Sequence, residues 1–362
     1  MIAPFVHDVP ASRVVFSPGS LARVPEEVSR LGGERVLLVS GGPEGRYADS
    51  LAEMLGPSLS GRFTEVVMHV PVEVAEAATA EALRVKADLI IALGGGSSIG
   101  AAKAIAKNTH LPILAIPTTY AGSEMTTIWG MTEGRRKVTG RDIHVLPKTV
   151  VYDPVLSESL PVDISAASAM NAVAHLVEGL YAPGVSPVTM LQAEEGIRAL
   201  AESLPKIVSN PVDLDARGEA LYGSWLAGWT LGTTAMGVHH KICHTLGGTY
   251  DLPHAPTHSA VIAYAAEFNA EAAPEAMAAV VRAMKSAGID EDTAAAGIWE
   301  LAHRIGAPTS LADVGFDLSD IDETTEIVVG AGPLNPRPVD SDGVRALLTA
   351  AHEGRKPGAS AA

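Results

Sequence analysis

Asp88-Leu-Ile-Ile-Ala-Leu93-Gly94-Gly95-Gly96-Ser97-Ser98-Ile99-Gly100 is the stretch on which the fold turns. Six residues of almost unbroken apolar character have the length of a strand buried on both faces, which is the environment of a parallel sheet. The glycines that follow at once, with a helical pattern running on to about Lys107, make a strand–turn–helix unit. A turn of this kind presents bare N–H groups and the positive end of a helix dipole to an anion, so a phosphate or pyrophosphate belongs there. The spacing Gly-x-Gly-x-x-Gly is absent and the loop follows a late strand, so this is not the ordinary dinucleotide fingerprint. Gly96-Ser-Ser98-Ile-Gly100 also matches Gly-x-Ser-x-Gly, the nucleophile elbow of hydrolases. Ser98 would then be a nucleophile, but no single acid and histidine downstream stand out as its partners.

Outward from this unit the same alternation recurs. Arg13 to Phe16, Arg35 to Val39, Glu65 to Val70, Leu114 to Ile116 and Thr149 to Tyr152 read as strands. Ser20 to Leu31, with Ser20 as its cap, Tyr47 to Leu55 and Val72 to Lys86 read as helices between them. Strands alternating with helices mean βαβ units and a parallel sheet. At Asp153-Pro154 the character changes to long helical patterns punctuated by proline and glycine. The expected organisation is an α/β dinucleotide-binding domain over residues 1–153 and an all-helical domain over 154–362, with a ligand in the cleft between them.

The chain has 362 residues, enough for two cores on a rule of about 150 residues per domain. Its net charge of −16 argues against non-specific association with nucleic acid or an anionic membrane. An anionic substrate would need its own local positive field. One cysteine, Cys243, leaves no disulfide framework and suits a reducing compartment. With no signal peptide and no apolar run near the length of about 18 residues that spans a bilayer, the expectation is a soluble, cytoplasmic protein.

The helical half carries the chemistry. Gly237-Val-His239-His240-Lys241-Ile-Cys243-His244-Thr-Leu-Gly-Gly-Thr-Tyr-Asp-Leu-Pro253-His254-Ala-Pro-Thr-His258-Ser holds five of the twelve histidines. On a helix His240 and His244 lie one turn apart on one face and can share a ligand, whereas His239 points elsewhere. Upstream, Asn171 and His175 repeat that spacing in an apolar segment without lysine or arginine. An unpaired buried polar group costs about 1–3 kcal/mol, so both pairs should meet something polar.

The glycine loop, Pro117-Thr118-Thr119-Tyr-Ala-Gly-Ser-Glu, Met-Asn171-Ala-Val-Ala-His175 and the histidine-rich stretch together resemble the iron-containing alcohol dehydrogenase superfamily, and in finer detail its maleylacetate reductase family. The likeness extends over nearly the whole chain and implies an oxidoreductase that uses NADH or NADPH to reduce the dianion maleylacetate to 3-oxoadipate in aromatic catabolism. A homodimer is implied as well. The metal-dependent relatives bind iron or zinc through an aspartate and three histidines, at positions that correspond here to Asn171, His175, His240 and His254. Asn171 departs from that pattern by removing a negative charge, so no metal is expected. The resemblance places His175, His240 and His254 with Asn171 on the substrate, His244 as the leading proton donor and Lys241 as the runner-up. For the cofactor it implies Gly95, Gly96, Ser97 and Ser98 on the pyrophosphate, Thr118 and Thr119 beside it, Lys137 on a ribose and Ser40 near the adenosine end. No carboxylate stands immediately after the Arg35–Val39 strand, so the choice between NADH and NADPH stays open. A metal-dependent alcohol or polyol dehydrogenase of the same superfamily, and more remotely the serine hydrolase, are the competing readings.

Overall fold

A computed structural model describes residues 5, 7, 9–10, 12–134 and 136–358, with Pro43, Arg136 and Lys137 described in their backbone only. Six strands form one parallel sheet: β1 (Arg13–Phe16), β2 (Val36–Ser40), β3 (Leu59–Phe63), β4 (Leu89–Gly94), β5 (Ile113–Pro117) and β8 (Thr149–Tyr152), in the order β1-β8-β5-β4-β2-β3. Strands β2, β4 and β5 are buried along their whole length, as their continuous apolar runs require. Alternate residues divide between the faces. Val36 and Leu38, Leu89, Ile91 and Leu93, and Leu114 and Ile116 share one core cluster. That cluster also contains Val24 and Val28 of α1 (Val24–Arg30) and Ala48, Leu51 and Leu55 of α2 (Gly45–Leu55). Each such side chain contributes about 1.5–3 kcal/mol by leaving water. Between the sheet strands run α3 (Val72–Arg84) and α4 (Gly96–Thr109), and α4 packs on β4 and β5.

Two expectations about this half are corrected. Glu65 to Val70 is not a strand, because His69 and Val70 sit at φ 65° and 47°, in the left-handed region that extended chain cannot use. The strand lies upstream at Leu59–Phe63, paired with β2. Ser20 to Leu31 is not one capped helix but a 3-10 turn, Ser20–Arg23, followed by α1, and the Ser20 hydroxyl donates to the Tyr152 carbonyl at 3.0 Å instead of capping. The structure adds an antiparallel hairpin, β6 (Ile128–Glu133) with β7 (Arg136–Arg141).

The chain divides into two compact units, one from Val9 to Leu160 and the other from Pro161 onward together with the start of the chain. Asp153, where the composition changes, is held to the sheet unit: its carboxylate accepts from Gly19 N and Leu21 N, both at 2.9 Å. The second unit is built from α5 (Val162–Leu180), α6 (Pro187–Ser209), α7 (Leu214–Thr233), α8 (Val238–Tyr250), α9 (His254–Asn269), α10 (Pro274–Ser286), α11 (Ala294–Arg304), α12 (Ile321–Gly330) and α13 (Ser341–Glu353). Helix α5 is buried almost throughout and packs against α6, α7 and α9, with α8 packed on α9. No described helix is long and apolar enough to cross a membrane.

Candidate active site

Within the sheet unit the chain passes from β2 to β3 on one side and then returns to place β4 on the other side of β2. Such a reversal leaves a crevice at the carboxyl ends of the two strands, where open α/β sheets bind ligands. Here those ends are Ser40, buried as the last residue of β2, and Gly94, the last residue of β4. Gly94 has φ +139°, and a Cβ on it would come within 2.4 Å of Ser98 Oγ, so only glycine makes this turn. No side chain caps α4, which leaves the amides of its first turn, from Gly96, Ser97 and Ser98, for a ligand. Thr119 closes over Gly95, where an added Cβ would stand 2.9 Å from Thr119 Cγ2, and Thr118 is buried beside them. Gly95, Gly96, Ser97, Ser98, Thr118 and Thr119 therefore share one cradle whose shape and dipole fit a dinucleotide phosphate. The Lys137 side chain lies outside the described residues. Ser98 is buried in that first turn, with no histidine hydrogen-bonded to it among the described residues. A nucleophile lacking a base has no hydrolytic chemistry to perform.

In the helical unit, Asn171, His175 and Glu178 occupy positions i, i+4 and i+7 of α5 and line one face. All three are buried, Glu178 completely. Glu178 reaches the N-terminus of α8, where Oε1 accepts from His239 N at 3.0 Å and Oε2 accepts from His240 N at 3.4 Å. Gly237 makes room for it, since a Cβ there would lie 3.1 Å from Glu178 Oε1. The same carboxylate accepts a hydrogen bond from His240 Nδ1. That bond sets the ring, leaving Nε2 as the nitrogen free for chemistry.

Around His240 the imidazoles gather. His175 stacks on it with ring centres 5.0 Å apart, His244 lies at 5.9 Å and His258 at 4.8 Å. His254 stands 6.4 Å from His244 and 4.4 Å from His258. Exposure rises across the group: His239 and His258 are fully buried, His175 and His240 nearly so, His254 is half-buried and His244 is exposed. Lys241 is half-buried one residue past His240, about 100° around the helix by its geometry.

Two participants were not anticipated. His258, on α9 one turn after His254, has ring centres of five other histidines within 6.4 Å. Its Nδ1 is 3.0 Å from His239 Nε2, so His239 turns inward to a partner. Glu178 is the other, an acid at a helix end that sequence alone places on the surface. Its spacing from Asn171 and His175 was the available signal.

Burial is the main force that lowers the pKa of His175, His239 and His258 well below 6.5, with the neighbouring imidazoles adding to it. These rings are neutral at pH 7. Asn171 Oδ1, His175 Nδ1, His240 Nε2 and His258 Nε2 are buried without a hydrogen-bond partner. Unpaired buried atoms in such number mark a place prepared for a polar guest.

To a divalent cation that place offers mainly neutral ligands. Asn171 supplies a neutral oxygen, and Glu178, the carboxylate at hand, is already engaged by one imidazole and two amides. The tightest trio of nitrogens, on His239, His240 and His258, lies within 4.8 Å, but two of its members are hydrogen-bonded to each other.

The comparisons with known proteins define an oxidoreductase, and the chain belongs to the iron-containing alcohol dehydrogenase family. Its family models match residues 11–154 (iron-containing alcohol dehydrogenase) and 165–352 (the C-terminal part). Relatives that match from end to end include maleylacetate reductases. That of Sphingobium indicum is 49% identical over 353 residues, covering 98% of this chain and 99% of its own, and that of Pseudomonas knackmussii is 46% identical over 355. The crystal structure of maleylacetate reductase from Agrobacterium tumefaciens superposes with a TM-score of 0.94 at 43% identity, covering 98% of this chain and all of that one. A 1,3-propanediol oxidoreductase superposes at 0.87 with 27% identity.

Proposed function

We propose that this chain is a metal-independent reductase of the conjugated C=C bond of maleylacetate, yielding 3-oxoadipate at the expense of NADH or NADPH. The observation that carries the reading is the row Asn171, His175 and Glu178 beside a cluster of partly unpaired imidazoles, on a chain similar to maleylacetate reductases over its full length.

A nicotinamide held by the glycine cradle would supply a hydride to the alkene carbon β to the ketone. Charge then gathers on the ketone oxygen as an enolate, and a proton must reach the α carbon. The chain has to hold two carboxylates, stabilise one oxyanion and deliver that proton. Asn171, His175, His240 and His254 bind the carboxylates and the enolate oxygen, each well-aimed donor contributing about 3–4 kcal/mol to the transition state by analogy with an oxyanion hole. Glu178 fixes the His240 ring through Nδ1 and so aims Nε2 at the substrate. His244, on the exposed side of the cluster, delivers the proton near neutral pH, with Lys241 second in line. Gly95, Gly96, Ser97, Ser98, Thr118 and Thr119 hold the pyrophosphate, Ser40 flanks the adenosine end and Lys137 contacts a ribose. The reading includes a cytoplasmic homodimer, which light scattering on the purified protein checks.

The test follows oxidation of both reduced nicotinamides with maleylacetate, on chelator-treated protein of assayed metal content. Turnover that survives chelation is the expected result. A tightly bound, stoichiometric transition ion whose removal abolishes turnover overturns metal independence and favours a metal-dependent dehydrogenase. His244→Ala should lower kcat at least about a hundredfold, and activity within a few-fold of the parent removes His244 from the mechanism.

A further inference from the structure

Glu44 fills a place in the sheet unit that no role above accounts for. It is the last residue of the 3-10 turn Gly42–Glu44 and the N-cap of α2, yet its side chain makes no capping hydrogen bond. The carboxylate instead crosses to the next strands. Thr118 Oγ donates to Glu44 Oε1 at 3.2 Å, and a Cβ built on Gly94 would also lie 3.2 Å from that oxygen. Glu44 has no cationic partner among the described residues. Arg46, the nearest cation in sequence, is held over the Tyr47 ring with its guanidinium carbon 4.4 Å from the ring centre.

A half-buried carboxylate is thus lodged in the crevice between the carboxyl ends of β2 and β4, against the first glycine of the phosphate cradle. In doubly wound sheets an acid arriving from the strand beside the glycine loop meets the vicinal hydroxyls of the adenosine ribose. Two ribose hydroxyls can donate to one carboxylate. A 2′-phosphate in the same place would put like charges together, and exclusion of a competitor by such repulsion is an economical source of specificity. The acid stands four residues beyond Ser40, the end of β2, and for that reason the stretch directly after the strand shows no such acid in the sequence.

We infer that Glu44 binds the adenosine ribose diol and makes this chain select NADH over NADPH. The inference rests on the reading of Gly94–Gly100 as a dinucleotide cradle and not on the identity of the organic substrate. The test is titration of full-length parent, E44Q and E44S with NADH and with NADPH, followed by nicotinamide fluorescence without substrate. Glutamine keeps an acceptor for Thr118 and loses only the charge, and melting temperatures check that both variants are folded. The parent should bind NADH more tightly, and the ratio of the two Kd values should fall about tenfold or more in E44Q as charge repulsion is lifted. A parent that prefers NADPH, or a ratio unchanged within twofold in both variants, overturns the inference and leaves Glu44 a tether for Thr118. A parent that binds neither dinucleotide overturns it together with the cofactor reading. Selective NADH binding by a protein that leaves maleylacetate unreduced sustains the role of Glu44 while the proposed substrate fails.

Discussion

Asn171 is one atom group away from an aspartate, so the chemistry of the cluster is open to a direct trial. Asn171→Asp should give the cluster an anion and let it acquire zinc or iron, read as metal retained after dialysis beside a parent that retains none. A variant as metal-free as the parent would mean that the histidines are not arranged to converge on an ion. Glu178 has a different weight. It satisfies His240 Nδ1 and two amides at the start of α8 at once, so Glu178→Ala strands three buried donors. At about 1–3 kcal/mol for each unsatisfied group, the loss should be several kcal/mol, read as a lower urea midpoint. Glu178→Gln should keep most of that stability and still lose activity, because an amide holds the His240 ring less firmly than a carboxylate does. The legibility of the site in the sequence follows from the same two residues. The spacings Asn171–His175 and His240–His244 are local and helical, and the structure brings His175, His240 and His244 near one another. His258 and Glu178 matter only through contacts between α5, α8 and α9, and no local pattern encodes those.

At the scale of elements, Lys103 of α4 ties the segment behind the Thr118–Thr119 turn to the helix that carries the glycine cradle. Its ammonium, buried, donates to the carbonyls of Ser123, Thr126 and Ile128 and to the Thr126 hydroxyl at 2.6–3.0 Å. Lys103→Met takes this donor from the carbonyls of Thr126 and Ile128, while Ser123 O and Thr126 Oγ keep other partners, and should lower stability by about 3 kcal/mol and weaken NADH binding along with it. Equal stability in urea, with unchanged binding, would reduce the lysine to a bystander. Parallel strands β2, β4 and β5 were readable because each is buried on both faces and nothing else explains so apolar a run. Strand β3 escaped because it is an edge strand of mixed character, Leu-Ser-Gly-Arg-Phe, whose strand state depends on pairing with β2. The β6–β7 hairpin escaped similarly: it is a two-stranded ribbon, and its alternation is broken by Gly130 and Gly140, the latter needed where Trp129 lies flat against the backbone.

For the molecule as a whole, the buried imidazoles predict how it fails in acid. His175, His239 and His258 are held neutral in the folded helical unit by burial, whereas in an unfolded chain each takes a proton near pH 6.5. Below about 6.5 the unfolded state therefore binds more protons than the folded one, and stability falls as pH falls. The contribution is whole above that value and is lost on the way down toward the depressed folded values. Three such groups give a slope of up to about 4 kcal/mol per pH unit, at roughly 1.4 kcal/mol for each. In the sheet unit Glu124 works in the opposite sense. Burial raises its pKa, so the folded form gains a proton first and that unit is partly compensated on acidification. Acid should thus unfold the helical unit ahead of the sheet unit. Three of the four tryptophans, Trp225, Trp229 and Trp299, lie in the helical unit and only Trp129 in the other, so emission chiefly reports the vulnerable part. Urea midpoints followed by this emission should drop steeply between pH 6.5 and 5.5, and His258→Asn should flatten the drop by about a third, one titrating group of three. A midpoint independent of pH across that interval would show that the cluster accepts protons without unfolding, and would contradict the neutral state assigned to these rings.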